Sequence, residues 1–223
     1  MSQNSPSFVI ALDGPAASGK SSVGRGAARR LGFRYLDTGL LYRALTSLAL
    51  ARRTDTADAE TLVGLVEELR VEFDPLGRIS RDGMDITDDL RNPEVDRAVS
   101  AVSAHAAVRN ALRPVQRALI RPPGVVMAGR DIGTVIVPGA QLKIWLNASV
   151  EERARRRSSQ TGEPFDRVLE GMRRRDQLDA AREVAPMARA ADAVTVDTDG
   201  LSLEEVIARL VLLAVQRGAQ PVQ

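Results

Sequence analysis

A short apolar run followed by a glycine-rich loop most constrains the fold of this chain. Phe8–Leu12 is an apolar segment of strand length, and Gly14-Pro-Ala-Ala-Ser-Gly19-Lys20-Ser21 follows it with the pattern G-x-x-x-x-G-K-[ST]. A helical pattern begins directly after this loop. Glycines let backbone N–H groups close around phosphate oxygens, and a helix N-terminus adds a favourable dipole. The segment therefore predicts a phosphate-binding loop between a buried parallel strand and a helix.

Two side chains of the loop have expected roles of their own. Lys20 can reach the β- and γ-phosphates of a nucleotide as a point charge on a flexible stem, and the Ser21 hydroxyl is the expected Mg²⁺ contact. Of the 31 basic residues only Lys20 and Lys143 are lysines, so Lys20 escapes a strong bias toward arginine. The predicted ATP-binding residues are Gly14, Pro15, Ala16, Ala17, Ser18, Gly19, Lys20, Ser21 and Ser22.

Further apolar runs of strand length predict the rest of an α/β fold. Helical patterns lie between or after these runs, which indicates a parallel sheet covered on both faces. Two helices are expected to begin with a Ser-x-x-Glu capping box, at Ser149 and at Ser202. The four further predicted strands are Phe33–Leu36, Val125–Ala128, Leu142–Leu146 and Ala193–Val196.

Two stretches interrupt this alternation and predict lobes attached to the core. Val71–Phe73 and Arg78–Asp85, with Asp82-Gly83 as the turn, predict a small antiparallel insertion, after which Asn92-Pro93 begins a helix. The second stretch, Arg153–Arg182, is nearly all polar and shows no clear apolar face. We expect a lobe at each place.

Composition excludes several classes of site. The chain has no cysteine and a single histidine, His105, so neither a disulfide framework nor a Cys- or His-based metal site is expected. No run of about 18 apolar residues exists, which predicts a soluble cytoplasmic protein with no membrane partner. His105 lies in the apolar Val99–Ala107 stretch and is expected to be a packed or surface residue without a catalytic role.

The rest of the sequence indicates which class of phosphate-binding-loop protein this chain resembles. A regulatory GTPase needs an N/T-K-x-D segment, and neither lysine lies in one. ATPase motors and helicases are usually larger than 223 residues. Polar motifs follow two predicted strands, Asp37–Arg43 and Gly129–Thr134, at the strand ends where open α/β sheets bind ligands. The remaining hypothesis is a small-molecule kinase.

At these motifs the sequence resembles the bacterial cytidylate kinase family, over essentially the whole chain after residue 7. The resemblance implies a P-loop nucleoside monophosphate kinase fold: a five-stranded parallel core, a substrate lobe enlarged by an insert, and a mobile lid. On that pattern the chain is a single kinase with its core at about 8–37, 105–150 and 183–218, the lobe at about 38–104 and the lid at about 153–182. The matching segments are Gly14–Ser22, Asp37–Gly39, Tyr42-Arg43, Asp88–Val95, Ser100, Val108-Arg109, Gly129–Thr134, Pro138–Leu146, Glu151–Arg157, Arg175-Asp176, Asp179 and Arg182–Pro186.

The resemblance also implies an activity: phosphorylation of CMP and dCMP by ATP, with Mg²⁺ as Mg-ATP, by a cytoplasmic monomer. Ser100, Arg109 and Asp131 would hydrogen-bond the cytosine ring. Arg43, Arg130 and Arg182 would hold the CMP phosphate, Thr38 would help to position that nucleotide, and Asp179 would contact its ribose. Lys20, Arg156 and Arg175 are the implied catalytic residues. Thr38 stands where some relatives have Ser, which keeps the hydroxyl.

Phosphoryl-transfer chemistry agrees with these residue types. The attacking group would itself be a phosphate oxyanion, so no strong general base is needed in a chain with one histidine. Catalysis would rest on aligning two mutually repelling anions and neutralising charge on the transferred group, which suits arginine.

Two alternatives stay open at this point. One is a nucleic-acid-binding module built on Arg155–Arg157 and Arg173–Arg175. Between residues 151 and 182, however, nine arginines stand against seven acids, which is too mixed for a phosphate-tracking stripe. We therefore expect no nucleic-acid partner. The nearer alternative is another small kinase, acting on AMP, UMP or shikimate.

Overall fold

The computed structural model describes residues 7–181 and 187–222, and its strands form two sheets. In chain order the strands are β1 (Phe8–Asp13), β2 (Arg34–Asp37), β3 (Val71–Phe73), β4 (Ile79–Arg81), β5 (Met84–Asp85), β6 (Gly124–Gly129), β7 (Leu142–Asn147) and β8 (Val194–Asp197). The helices are α1 (Lys20–Leu31), α2 (Gly39–Ala51), α3 (Ala59–Glu67), α4 (Pro93–Ala104), α5 (Ala106–Ala118), α6 (Val150–Thr161), α7 (Phe165–Ala180) and α8 (Leu203–Gln216).

The central sheet is parallel and has the strand order β2-β6-β1-β7-β8. All five strands predicted from the apolar runs are confirmed. Because parallel strands end at the same edge of a sheet, the segments that follow β1, β2 and β6 meet there. Those segments carry the glycine-rich loop, Thr38, and Arg130 with Asp131, so the topology brings the predicted motifs to one place.

Each face of the central sheet is covered by helices. Along β1, Val9 and Ala11 pack in one core with α2, α3, α4 and α5, while Ile10 and Leu12 pack in the other with α1 and α8. Successive side chains of a strand point to opposite faces, so an uninterrupted apolar run is required where both faces are covered. Among the described residues, no helix combines the length and apolar composition needed to cross a bilayer.

The second sheet confirms the predicted antiparallel insertion. Its order is β3-β4-β5, and Arg81 pairs with Met84 across the Asp82-Gly83 turn. Asp82 and Gly83 have φ values of 50° and 79°. Two consecutive positive φ angles are what a two-residue hairpin loop of type I′ requires, and they explain why Asp-Gly is found there.

Helix starts were predicted correctly in two places and in part in a third. Asn92 caps α4 by accepting from two backbone N–H groups, with Pro93 in the first turn, and Ser202 forms a full capping box with Glu205. At α6, Ser149 accepts from the Glu152 N–H, but the predicted return bond is absent. Instead the Ser149 N–H donates to Asp199 at 3.1 Å, and Glu152 accepts from arginines of its own helix.

The prediction that the 153–182 stretch lacks an apolar face was wrong for its described part. α6 and α7 pack on each other around a small cluster in which Ala154, Val168 and Met172 are buried. Phe165 and Leu169 pack against it. The spacing of these α7 residues places them on one helix face, but the charged residues between them, Asp166, Arg167 and Glu170, obscure that pattern in the sequence.

Candidate active site

The predicted phosphate-binding loop joins β1 to α1, and its backbone is shaped by residues with positive φ. Gly14, Ala17 and Gly19 have φ values of 153°, 57° and 92°. A Cβ added at Gly14 would lie 2.3 Å from the carbonyl oxygen of Leu146, so no other residue fits against β7 at this place. α1 begins at Lys20, which points the free N–H groups of the helix start at the loop.

Lys20 lies over the loop and is almost fully withdrawn from solvent. Its Nζ donates to the carbonyl oxygens of Gly14 at 2.9 Å and Pro15 at 2.6 Å. Burial, followed by the nearby positive charge of Arg130, lowers the pKa of Lys20 well below its ordinary value. A bound phosphate would counter both effects, because an anion favours the charged ammonium. The electrostatics of this residue therefore fit a site made for an anion.

Ser21 lies beside an acidic residue that was not among the predicted metal contacts. The Ser21 Oγ donates to Asp37 Oδ2 at 3.2 Å, and both residues line the same cavity. A hydroxyl and a carboxylate are the hard oxygen donors that Mg²⁺ prefers, and Mg²⁺ usually takes only one or two protein ligands besides phosphate and water. The pair therefore fits the ion that Mg-ATP would bring.

Arg109 and Asp131 form a buried ion pair at the end of β6. Arg109 Nη2 lies 2.7 Å from Asp131 Oδ2, while Arg109 Nη1 donates to the Ser103 carbonyl at 3.1 Å. The Arg109 guanidinium lies 5.4 Å from the ring centroid of Tyr42. Among the described residues, Arg109 Nε has no hydrogen-bond partner. The pair thus places guanidinium N–H donors and carboxylate oxygens side by side at the cavity.

Two other arginines line the cavity near this pair. Arg43 donates to the Leu90 carbonyl at 2.8 Å and to Asp96 at 2.5 Å. Arg130 donates through Nε to Asp179 at 3.1 Å. Both arginines are held in place by acids and retain N–H groups for a further anion.

The two predicted lid arginines have different surroundings. Arg175 is half-buried, and its Nε has no hydrogen-bond partner among the described residues. Burial, followed by Arg130, lowers its pKa, so this cation also lies where an anion would be favoured. Arg156 is instead bound to Glu152 at 3.0 Å and donates twice to Thr198, at 3.0 Å and 2.9 Å.

The structure brings nearly all the predicted site residues to one open cavity of about 1200 Å³. Gly14 and Pro15 are not in its lining and act through the carbonyls that hold Lys20. Thr38 lines the cavity, and its hydroxyl donates to the Ala128 carbonyl at 3.0 Å. Arg182 falls outside the described residues. The predicted residues that line the cavity are Ala16, Ala17, Ser18, Gly19, Lys20, Ser21, Ser22, Thr38, Arg43, Ser100, Arg109, Arg130, Asp131, Arg156, Arg175 and Asp179.

The relationship of this chain to known proteins agrees with that geometry. The family model described as "Cytidylate kinase" matches residues 10–216. The chain belongs to the cytidylate kinase family. A protein named cytidylate kinase from Geobacillus kaustophilus (strain HTA426) is 47% identical over 216 residues, which cover 93% of this chain and 96% of that protein. Another of the same name, from Mycobacterium leprae (strain Br4923), is 48% identical over 216 residues, covering 94% and 96%.

Solved structures add a likeness of fold only. An uncharacterised protein from Eubacterium ventriosum ATCC 27560 aligns over 92% of this chain and 97% of its own, with a TM-score of 0.50 and 10% identity. At that identity the alignment speaks for the architecture and not for substrates.

Two buried residues of this cytidylate kinase family member were missed by sequence reasoning. Asp13, at the end of β1, accepts from the N–H groups of Ile132 and Gly133, each at 2.8 Å, and so holds the segment after Asp131. Burial raises the pKa of Asp13 to about 6, with a smaller contribution from the charge of Asp131. Its position directly before the loop was a signal available in the sequence.

Arg153 is the second such residue. It is 4% exposed and binds both the glycine-rich loop and α7. Nothing in its polar surroundings in the sequence distinguishes it from the less buried arginines that follow it.

Proposed function

We propose that this chain transfers the γ-phosphoryl group of ATP to CMP or dCMP, giving ADP and CDP or dCDP. An oxygen of the acceptor phosphate attacks the γ-phosphorus, and the bond to the bridging oxygen of ADP breaks. One observation carries this proposal: the Lys20 loop and the buried Arg109–Asp131 pair line the same cavity. Transfer between two bound nucleotides would need a polyphosphate site and a base-reading site in one cavity, and this shared lining supports the proposal.

The acceptor phosphate would be held by arginines. Arg43 and Arg130 line the cavity together with Arg175 and are already bound to Asp96 and Asp179. Preorganised cations hold two anions together without reorganisation at the moment of reaction. Arg182 joins this set as a proposal, on the family resemblance alone.

Base recognition is assigned to Asp131 and Arg109, with Ser100 nearby in the lining. Cytosine offers an amino donor beside the N3 acceptor, and a carboxylate beside a guanidinium is the complementary pair. Uracil reverses both groups, so each contact becomes a mismatch. Thr38 would help to position the nucleotide, and Asp179 would accept from a ribose hydroxyl.

The proposed reaction does not require the protein to remove a proton from the acceptor. A phosphate monoester has its second pKa near 6, so the acceptor is mostly a dianion at neutral pH and needs no general base. Lys20, Arg156 and Arg175 would neutralise charge on the transferred group. Ser21 and Asp37 would hold Mg²⁺ with the nucleotide, and the ion supplies further charge neutralisation when bound.

The two helices α6 and α7 support a lid in the proposed mechanism. Among the described residues, only a small cluster of buried side chains belongs to these two helices alone, so little apolar area holds them when substrates are absent. Closure would exclude water and suppress ATP hydrolysis. Hydrogen exchange with and without a bisubstrate analogue measures it, and equal protection in both states would contradict the lid.

The decisive experiment for the reaction is a coupled assay of ADP release over a panel of acceptors. We expect CMP and dCMP to have the highest kcat/KM, ahead of UMP, AMP, GMP and shikimate by about 10²-fold or more. Higher kcat/KM with AMP or shikimate would overturn the proposal. Action as a monomer in the cytoplasm is part of the same proposal, and sedimentation with both substrates tests the oligomeric state.

A further inference from the structure

The buried side chain of Arg153 joins three separate parts of the chain. Its Nε donates to the Ala148 carbonyl at 3.2 Å, at the start of its own helix α6. Its Nη1 donates to the Ala16 carbonyl at 3.1 Å, in the glycine-rich loop. Its Nη2 lies 2.6 Å from Asp176 Oδ2, on α7. One guanidinium therefore connects the donor loop to the lid helix that carries Arg175.

The contact with the loop fixes a particular peptide group. In a planar trans peptide the C=O and N–H point in opposite directions, so holding the Ala16 carbonyl turns the Ala17 N–H away from Arg153. Ala17 has φ 57°, a left-handed conformation that is unfavourable for a residue with a Cβ. The Arg153–Ala16 hydrogen bond contacts this peptide from outside the loop.

The carbonyls of three successive loop residues are then all bound by cations. Lys20 takes those of Gly14 and Pro15, and Arg153 takes that of Ala16. The Ser18 N–H donates to the Pro15 carbonyl at 3.4 Å, and the other N–H groups of the loop are the ones that would meet phosphate oxygens.

The other end of this connection lies on a helix that also reaches the acceptor side. Asp176 and Asp179 are three residues apart on α7 and share one helix face. Asp176 binds Arg153, while Asp179 binds Arg130, which follows β6, at 3.1 Å. α7 also contacts α4 of the acceptor lobe. Polar contacts thus run from Ala16 to Asp176 and from Asp179 to Arg130, and one turn of α7 joins the two sets.

We propose that Arg153 and Asp176 are positioning residues that couple donor binding at the loop to the placement of α7, and through it to acceptor binding. The inference rests on the proposed function. Phosphates on the loop would fix the Ala16–Ala17 peptide, and the Arg153–Asp176 pair would pass this constraint to the helix bearing Arg175 and Asp179. Donor and acceptor would then each raise the affinity for the other by the same factor, as thermodynamic linkage requires.

Calorimetry measures that factor as the ratio of the Kd for CMP without and with a saturating, non-hydrolysable ATP analogue and Mg²⁺. Wild type is expected to give a ratio of about five or more. Asp176→Asn should bring the ratio toward one while the Kd for CMP alone stays within about twofold, because Asp179 and Arg130 are untouched. Asp176→Glu should recover part of the ratio. Arg153→Met, which keeps the buried stem, should behave like Asp176→Asn.

The matched control is Glu170→Gln, which removes a negative charge from an exposed position on the same helix. A purely structural role would lower the melting temperature of the Asp176 and Arg153 variants without changing the ratio. Folded Asp176→Asn and Arg153→Met that keep the wild-type ratio, or a wild-type ratio of one, would overturn the proposal. Wild type that binds CMP in these titrations, and phosphorylates it in the coupled assay with ATP, keeps the proposed function intact in either case. Failure of wild type to bind CMP would overturn both.

Discussion

Arg109 and Asp131 face each other at 2.7 Å with side chains only 4% and 7% exposed. A buried pair of this kind is costly to desolvate and is weak evidence for stability. Its position at the cavity, with Tyr42 against the guanidinium, supports the proposed role in base recognition instead. The pair offers one donor and one acceptor in fixed positions, which is the pattern that distinguishes cytosine from uracil.

Asp131→Asn tests this recognition. The amide can donate to the uracil carbonyl, whereas the carboxylate cannot. We expect kcat/KM for CMP to fall by about 5- to 150-fold, which corresponds to a loss of roughly 1–3 kcal/mol of transition-state binding. The ratio of kcat/KM for CMP to that for UMP should shrink. Steady-state kinetics with both acceptors measure it. If Asp131 served the metal, both activities would fall in proportion, and an unchanged ratio in a folded variant would reject base reading.

Lys20→Ala should leave a folded protein with little phosphoryl transfer. Loss of one preorganised donor to the transition state lowers kcat by about 10²- to 10³-fold. Lys20→Arg should also be impaired, because a planar guanidinium does not fit where Nζ lies between the Gly14 and Pro15 carbonyls. The other lysine is the control: Lys143 pairs with exposed Asp192 at 2.9 Å, and Lys143→Arg should keep kcat. Near-normal kcat of both Lys20 variants at saturating Mg-ATP would remove Lys20 from the mechanism.

The raised pKa of Asp13 predicts a pH dependence of stability. Because the pKa is about 6 in the folded chain, against 3.8 ordinarily, the folded state binds the proton more tightly. The free energy of unfolding therefore falls as pH rises from about 4 through 6, by about 3 kcal/mol. Asp13→Asn lacks this titration, so the difference in unfolding free energy between wild type and Asp13→Asn should change by that amount. Urea unfolding of both proteins from pH 4 to 8 measures it, and a constant difference would contradict the assignment.

Two helical glycines predict opposite effects of the same substitution. A Cβ at Gly24 of α1 would lie 2.5 Å from Cε2 of Tyr35, a ring that is 1% exposed, while a Cβ at Gly64 of α3 would meet nothing within 4 Å. Gly24→Ala should therefore destabilise by about 1–3 kcal/mol through overpacking. Gly64→Ala should stabilise by about 0.5–1 kcal/mol through backbone entropy. Denaturant unfolding checks both, and equal effects would show that packing at Tyr35 does not decide the outcome.

The central sheet and the glycine-rich loop could be predicted from the sequence because each depends on residues that are close together in the chain. Strand-length apolar runs are needed wherever both faces of a sheet are covered, and the loop pattern combines required glycines with Lys20 and Ser21. The Asp82-Gly83 turn and the Asn92 cap were predictable for the same reason. In each of these cases the residues that determine the structure are neighbours in the chain.

Only the tertiary structure decided which distant charges meet. The Ser149 capping box lost its second bond because Asp199, 50 residues away, takes the Ser149 N–H. Strand order brings Asp13 to the Ile132 N–H, and helix packing brings Arg153 to the Ala16 carbonyl. In both pairs the partners are more than 100 residues apart in the chain. Among so many arginines, type and spacing cannot distinguish a buried connecting residue from an exposed one, because burial is a property of the packed chain.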